Sequence, residues 1–163
     1  MKTILPIFLC VLLLSGCGSS ETLETLGPVE HVLGTLPPPS TVQLTLPDSS
    51  SLQTLGSDDQ VYDCEGYILL RQTLFSGDFT ATTQTLSGFR PDRLTVIETE
   101  ENGVTRYDWV WTAAGEEGEV VGRAAVLDDG YYHYCLCAIA SAVSSTVLNK
   151  EWNDVFNSFG LEQ

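Results

Sequence analysis

The sequence predicts an α+β domain, in which an antiparallel β-meander of about six strands carries a C-terminal helix on one face. A disordered tether precedes this domain. Two observations support the prediction. From Tyr62 onward, short runs of β-branched and aromatic residues alternate with turn signals such as Asn102-Gly103. After Ser144-Ser145, apolar residues instead recur with the period of a helix.

Six strands are predicted, and turn or loop residues separate them. They cover residues 67–74, 79–86, 94–100, 106–112, 119–127 and 131–140. The second run is rich in threonine and nearly polar on one side, which is typical of a strand at a sheet edge. Because consecutive hairpins connect neighbouring strands, the expected sheet is antiparallel.

The C-terminal segment has the pattern of an amphipathic helix. One side carries the apolar residues Leu148, Trp152, Val155, Phe156 and Phe159. Gly160 is the expected end of the helix, because glycine adopts the left-handed conformation found there. A helix of this length is not stable alone. Its apolar side is therefore expected to cover one face of the sheet.

Residues 1–16 have the layout of a secretory signal peptide. Lys2 precedes an apolar run over residues 4–14, which is shorter than the roughly 20 residues that span a bilayer. The run ends at Leu14-Ser15-Gly16-Cys17, which resembles the lipobox of bacterial membrane lipoproteins. The resemblance implies cleavage before Cys17 and lipid on its thiol. We therefore expect a bacterial lipoprotein held at the extracytoplasmic face of the cell membrane by lipid on Cys17.

The segment from residue 17 to residue 60 is low in complexity. It contains Pro37-Pro38-Pro39 and Ser49-Ser50-Ser51, which favour a disordered tether over helix or sheet. An alternative is a short edge strand at residues 41–46, where apolar and polar residues alternate. The globular domain is predicted to cover residues 61–163.

The charge of the chain excludes some classes of partner. Seven lysines and arginines stand against 22 aspartates and glutamates, so the formal net charge is −15. Nucleic-acid binding is not expected, because phosphate contacts need clustered basic side chains. The membrane contact is expected to run through the lipid on Cys17 rather than through basic residues.

Three cysteines, Cys64, Cys135 and Cys137, remain after the leader and the lipobox. An exported protein can form disulfides, so one bridge and one free thiol are expected. Cys135 and Cys137 share one face of a strand and are poorly placed to bridge each other. The predicted disulfide therefore joins Cys64 to one of them. Without an oxidising system, all three would be buried apolar residues.

His133 alternates with Cys135 and Cys137, so the three side chains project to one side of a strand. Imidazole and thiolate are ligands of zinc and copper. The apolar residues around them favour packing or a disulfide instead, so neither a metal nor another cofactor is predicted. A small metal-binding or enzymatic domain that uses these three residues is the alternative.

Tyr107, Trp109 and Trp111 share one face of the fourth predicted strand. We expect them to form the core beneath the C-terminal helix; stacking on a sugar or a peptide is the alternative. Carboxylates cluster only at predicted turns, where charged residues are solvated. Without a catalytic motif, the chain is not expected to be an enzyme.

The C-terminal region, with Trp152, Phe156, Ser158-Phe159 and Leu161 after a hairpin meander, is similar to PsbP/Mog1-like domains. That resemblance implies an α+β domain that binds partners rather than catalyses, and it carries no site residues over. The expected function is a lipid-anchored binding or interaction module with an unknown protein or small-molecule ligand. A purely structural envelope protein is a further alternative.

Overall fold

The computed structural model describes residues 35–54, 59–116 and 118–162. The predicted signal peptide, the lipobox with Cys17 and the first part of the predicted tether lie outside these residues. In the described part of the chain, no helix is both long enough and apolar enough to cross a bilayer.

The fold is an antiparallel sheet between two helices. The bounds of the strands are β1 Val42–Gln43, β2 Ser51–Thr54, β3 Asp59–Cys64, β4 Tyr67–Phe75, β5 Ile97–Glu101, β6 Val104–Gly115, β7 Gly118–Asp128, β8 Tyr132–Ser141 and β9 Gly160–Leu161. The helices are α1 Phe79–Ser87 and α2 Ala142–Ser158, with a 3-10 turn at Pro91–Arg93. This confirms the predicted α+β class.

Seven of the strands form one sheet in the order β2-β3-β4-β8-β7-β6-β5, and β1 pairs with β9 separately. Strands β2 to β4 and β5 to β8 each form a meander. The two meanders join where β4 pairs with β8, from Tyr67 opposite Ala140 to Phe75 opposite Tyr132. Between β4 and β5 the chain crosses from the middle of the sheet to its far edge by way of α1.

Each helix covers a different face of the sheet. The α2 face carries the larger core, which includes Leu69, Tyr134, Leu136 and Phe156, all fully buried. The α1 face carries a second core, in which Leu86 of α1 packs with side chains of β6, β7 and β8. The sheet is therefore buried on both sides, which explains why β8 is apolar on both faces.

The predicted strand at residues 79–86 is wrong: these residues form α1. The Asp78 carboxylate caps the helix by accepting from the Thr80 amide at 2.9 Å. Gly88 ends it with a φ of 77°. Within the helix, Thr83 donates its hydroxyl to the Phe79 carbonyl at 2.7 Å. Two caps, together with the packing of Phe79 and Leu86 against the sheet, thus outweigh the preference of threonine for strands.

Residues 35–54 belong to the folded unit, whereas the sequence predicted a tether as far as residue 60. The alternative strand at residues 41–46 corresponds to β1. The Ser40 amide donates to the Tyr134 hydroxyl at 2.8 Å, and the Tyr132 hydroxyl donates to the Pro37 carbonyl at 2.8 Å. These bonds to distant residues hold a segment with little secondary structure of its own.

The predicted C-terminal helix is confirmed as α2. Ser141 caps its start by accepting from the Ser144 amide at 3.2 Å. Trp152, Val155 and Phe156 are buried against the sheet. The end of the helix differs from the prediction, because Gly160 lies in strand β9 and Phe159 occupies the cap position in extended conformation.

Candidate functional site

A groove lies on the α2 face, between α2 and the strands β5 and β6. Its volume is about 540 Å³, and six of its lining residues matter here: Ile97, Val110, Val121, Arg123, Trp152 and Asn153. The groove exists because α2 packs on β7 and β8, so β5 and β6 extend beyond the helix. We call it the α2 groove.

The floor of the α2 groove is apolar and open to solvent. Ile97 on β5 is 62% exposed, and Val110 on β6 is 58% exposed. Asp108 lies opposite Ile97 in the ladder, and Arg123 lies opposite Val110. The exposed apolar side chains are therefore bordered by charged residues on neighbouring strands, as in many binding sites.

Arg123 forms the charged end of the groove. Its guanidinium carbon lies 4.3 Å from the centre of the Phe156 ring. It donates to the Asn153 side-chain oxygen at 2.7 Å and lies 3.9 Å from the Asp108 carboxylate. Burial lowers the pKa of Arg123, Asp108 opposes this shift, and Arg106 adds to it. The cation is thus stacked and paired within the wall of the groove.

Arg106 holds α2 against the sheet next to this groove. Its guanidinium donates to both oxygens of Asp108, at 2.6 and 3.1 Å. It also donates to the carbonyls of Phe156 and Phe159, at 3.0 and 2.9 Å. These carbonyls lie at the end of α2, where helices leave acceptors unpaired. One side chain therefore satisfies the helix end and sets the position of the helical wall.

A second cavity, the acidic cleft, lies near the β5–β6 turn and β9. Its volume is about 430 Å³, and its lining includes Thr99, Glu101, Arg106, Asp129 and Glu162. The Asp129 carboxylate already accepts hydrogen bonds from the Tyr132 amide and the Tyr134 hydroxyl. The charge of Arg106 is already paired with Asp108. Glu101 and Glu162 therefore leave the cleft with an excess of negative charge.

His133 lies in a buried chain of polar groups rather than in an accessible site. Its Nδ1 is 2.8 Å from the Thr82 hydroxyl, and its Nε2 is 3.4 Å from the Asp128 carboxylate. His133 is 1% exposed and Thr82 is 6% exposed, so a substrate has no path to either group. The arrangement connects α1 to β7 and β8. Sequence reasoning missed Thr82 because the helix that carries it was predicted as a strand.

The predicted disulfide through Cys64 is not formed, and all three cysteines are free. Cys64 packs in the core of the α2 face, whereas Cys135 and Cys137 lie on the α1 face. The thickness of the sheet therefore separates Cys64 from both. Side-chain direction alternates along each strand, but the sequence does not show which face each strand turns towards the helix.

The alternative metal site also lacks support from the geometry. The thiols of Cys135 and Cys137 donate to separate carbonyls, those of His133 and Leu86. Burial raises the pKa of each thiol to about 12. Within the described residues, no three side chains of histidine, cysteine, aspartate or glutamate are grouped to hold a metal ion.

We expect Cys64, Cys135 and Cys137 to be unreactive in the folded protein. With Cys10 and Cys17 changed to serine, Ellman's reagent at pH 8 should find no thiol in native protein and three in guanidinium. A single thiol after unfolding without reductant would indicate a disulfide.

The raised pKa values of Cys135 and Cys137 also make stability pH-dependent. The contribution of the two protonated thiols is complete below pH 9 and is lost as the pH rises toward 12.

The aromatic row of β6 is buried, but beneath a different helix from the one predicted. Tyr107, Trp109 and Trp111 pack in the core of the α1 face. The ring of Phe79 lies 4.2 Å from that of Tyr107 and meets Trp109 edge-on at 6.0 Å. The row therefore supports α1, and stacking on a sugar or peptide is ruled out for Trp109 and Trp111 by their burial.

Comparison with known proteins rests on structure alone. No protein-family model matches the sequence, and no curated protein is significantly similar to it. The solution structure of cyanobacterial PsbP (CyanoP) from Synechocystis sp. PCC 6803 matches with a TM-score of 0.55 and 12% identity, over 74% of this chain and 86% of that chain. The fold is PsbP-like. This confirms the predicted resemblance at the level of the fold.

A second solved structure matches less closely. LpqN of Mycobacterium tuberculosis, described as involved in cell envelope biogenesis, matches with a TM-score of 0.49 and 12% identity, over 77% of this chain and 87% of that chain. At 12% identity the match to CyanoP establishes the fold alone and leaves function to the chemistry of the site. Within this fold, the α2 groove exposes two apolar side chains, Ile97 and Val110, on the α2 face of the sheet.

Proposed function

We propose that this protein is a lipid-anchored, extracytoplasmic binding module without catalytic activity, and that the α2 groove is its binding site. The exposed apolar floor of the groove carries the proposal. Ile97 and Val110 are 62% and 58% exposed on a chain with a net charge of −15. Apolar surface left open beside a helix is typical of interaction sites.

The polar groups around the groove favour binding over catalysis. Asp108 and Arg123 are engaged with Arg106, Asn153 and the Phe156 ring. The imidazole that could act as a base, His133, is buried on the opposite face of the sheet. The groove therefore offers shape and apolar area, with charges that position a ligand.

The binding site can be tested by photocrosslinking in living cells. A benzophenone amino acid in place of Ile97 should give discrete adducts with a partner. Val147 provides the matched control, because it is an exposed apolar residue on α2, at 85% exposure, and does not line the groove. Adding Val110→Asp should remove the adducts at position 97 without changing the melting temperature. Adducts at position 147 but not at position 97 would contradict the proposal.

The lipid anchor is tested separately. Radiolabelled palmitate should label the wild-type protein, and Cys17→Ser should carry no label. Cys10→Ser is the control, because its cysteine lies within the predicted leader and should leave labelling unchanged. Label retained in Cys17→Ser would refute the lipobox assignment and leave the groove unaffected.

A further inference from the structure

The outer edge of strand β5 is available for pairing. In the part of the chain that the structure describes, β5 pairs only with β6. Every residue of β5 is exposed. The outward amides and carbonyls of an edge strand are a template for another strand. This edge also borders the α2 groove and the acidic cleft.

The side chains of β5 alternate between the two faces of the sheet. Ile97, Thr99 and Glu101 project to the α2 face, where Ile97 lines the α2 groove and the other two line the acidic cleft. Glu98 and Glu100 project to the opposite side. Ile97 and Glu101 are four residues apart, or about 13 Å along a strand. One added strand would therefore reach both cavities.

The negative charge of β5 indicates which kind of strand can pair with it. Three of the five residues of β5 are glutamates. A second copy of this chain would bring carboxylates opposite carboxylates, which is destabilising in a strand pair. A segment rich in lysine or arginine would instead find an opposite charge next to each glutamate. Charge complementarity thus favours a cationic polypeptide over self-association.

We propose that β5 is the docking edge for an extended cationic segment of a partner protein, which adds to the sheet as an eighth strand. An apolar side chain of the segment occupies the α2 groove, and a basic side chain four residues away enters the acidic cleft. Main-chain hydrogen bonds to β5 supply affinity, and the two cavities supply specificity. This inference rests on the groove being the binding site and adds the chemistry of its partner.

The test uses the full-length chain in detergent micelles and fluorescent seven-residue peptides. Each peptide carries valine and lysine four residues apart on one side and lysine at the alternating positions, in either chain direction. We expect saturable binding of one direction. A backbone N-methylated copy should bind at least tenfold more weakly, because it cannot donate to β5. Amide hydrogen exchange should slow in β5 on binding of the unmodified peptide.

Protein variants separate docking from general charge attraction. The double variant Glu98→Lys, Glu100→Lys should weaken binding at least tenfold. The double variant Glu116→Lys, Glu119→Lys changes the net charge equally, at exposed positions in the β6–β7 turn and at the start of β7, and should change binding less than twofold. Equal losses in both variants, or equal binding of the N-methylated peptide, would refute strand addition. So would the absence of peptide binding. Crosslinking at position 97 would decide the groove proposal independently.

Discussion

Replacing Arg106 with methionine should lower the free energy of unfolding by about 3 kcal/mol. Methionine keeps most of the aliphatic stem, so the loss reports on the guanidinium. That group makes two hydrogen bonds to Asp108 and two to the carbonyls of Phe156 and Phe159. Its side chain is 23% exposed, so solvent replaces these partners only in part. Removing it leaves both a carboxylate and a helix end with unpaired acceptors.

Urea denaturation of wild type and variant measures this effect. Arg90→Met is the matched control, because Arg90 and Asp92 are 66% and 70% exposed and their ion pair spans 3.6 Å. We expect the control to change stability by less than about 0.5 kcal/mol. Equal effects of the two substitutions would mean that the bonds of Arg106 to α2 contribute nothing. Arg106→Lys should lower the free energy of unfolding nearly as much as Arg106→Met, because an ammonium group cannot form the paired hydrogen bonds of the planar guanidinium.

Replacing Gly122 with valine should lower the free energy of unfolding by about 3 kcal/mol. Gly122 lies opposite Trp111 in the β6–β7 ladder, and the indole ring covers the glycine so closely that a Cβ atom would overlap it. Trp111 is 7% exposed and packs among the aromatic residues beneath α1. Because this core is close-packed, the ring has no free space into which it can move.

Thermal denaturation and a compensating substitution test this explanation. Gly77→Ala is the control, because a Cβ atom there meets nothing closer than 4.0 Å, and it should leave stability unchanged or slightly raised. If the clash with Trp111 is the cause, Trp111→Leu combined with Gly122→Val should cost less than the sum of the two single substitutions. Additive costs would place the origin of the effect in the backbone instead.

Arg106 also links stability to the proposed function. It fixes the end of α2, and α2 forms one wall of the α2 groove. Arg106→Met should therefore weaken crosslinking from position 97 even at temperatures where the domain remains folded. This dependence is expected because a binding site is only as precise as the contacts that position its walls.

The sequence alone predicted the elements whose signals are local. Asn102-Gly103 specified the β5–β6 hairpin, and the structure places both residues at positive φ, 54° and 77°. The apolar side of α2 was readable from its period, and Trp152, Val155 and Phe156 are buried as expected. These predictions succeeded because turn chemistry and helical period depend on residues close together in the chain.

The errors share a physical cause, because each concerns contacts between distant residues. Threonines in 79–86 favoured a strand locally, but the caps of α1 and its packing on the aromatic row of β6 made a helix more stable. The sequence predicted a tether at residues 35–54, but the hydroxyls of Tyr132 and Tyr134, far along the chain, bind Pro37 and Ser40 of this segment. The groove, too, was invisible in the sequence, because its walls come from β5, β6 and α2.

The sequence by itself thus determined the class of the fold, the meander of β5 to β8 and the covering helix, because alternation, turns and helical period depend on residues close together in the chain. The predicted single meander of six strands was wrong in its first part, since β2 and β3 were not predicted and β4 pairs with β8. Only the tertiary structure decided which face of the sheet each side chain joins. That choice separates Cys64 from Cys135 and Cys137 and turns Trp109 towards α1. Side-chain alternation leaves two equivalent faces for every strand. The two faces become different only when α2 packs on one of them and the shorter α1 packs on the other.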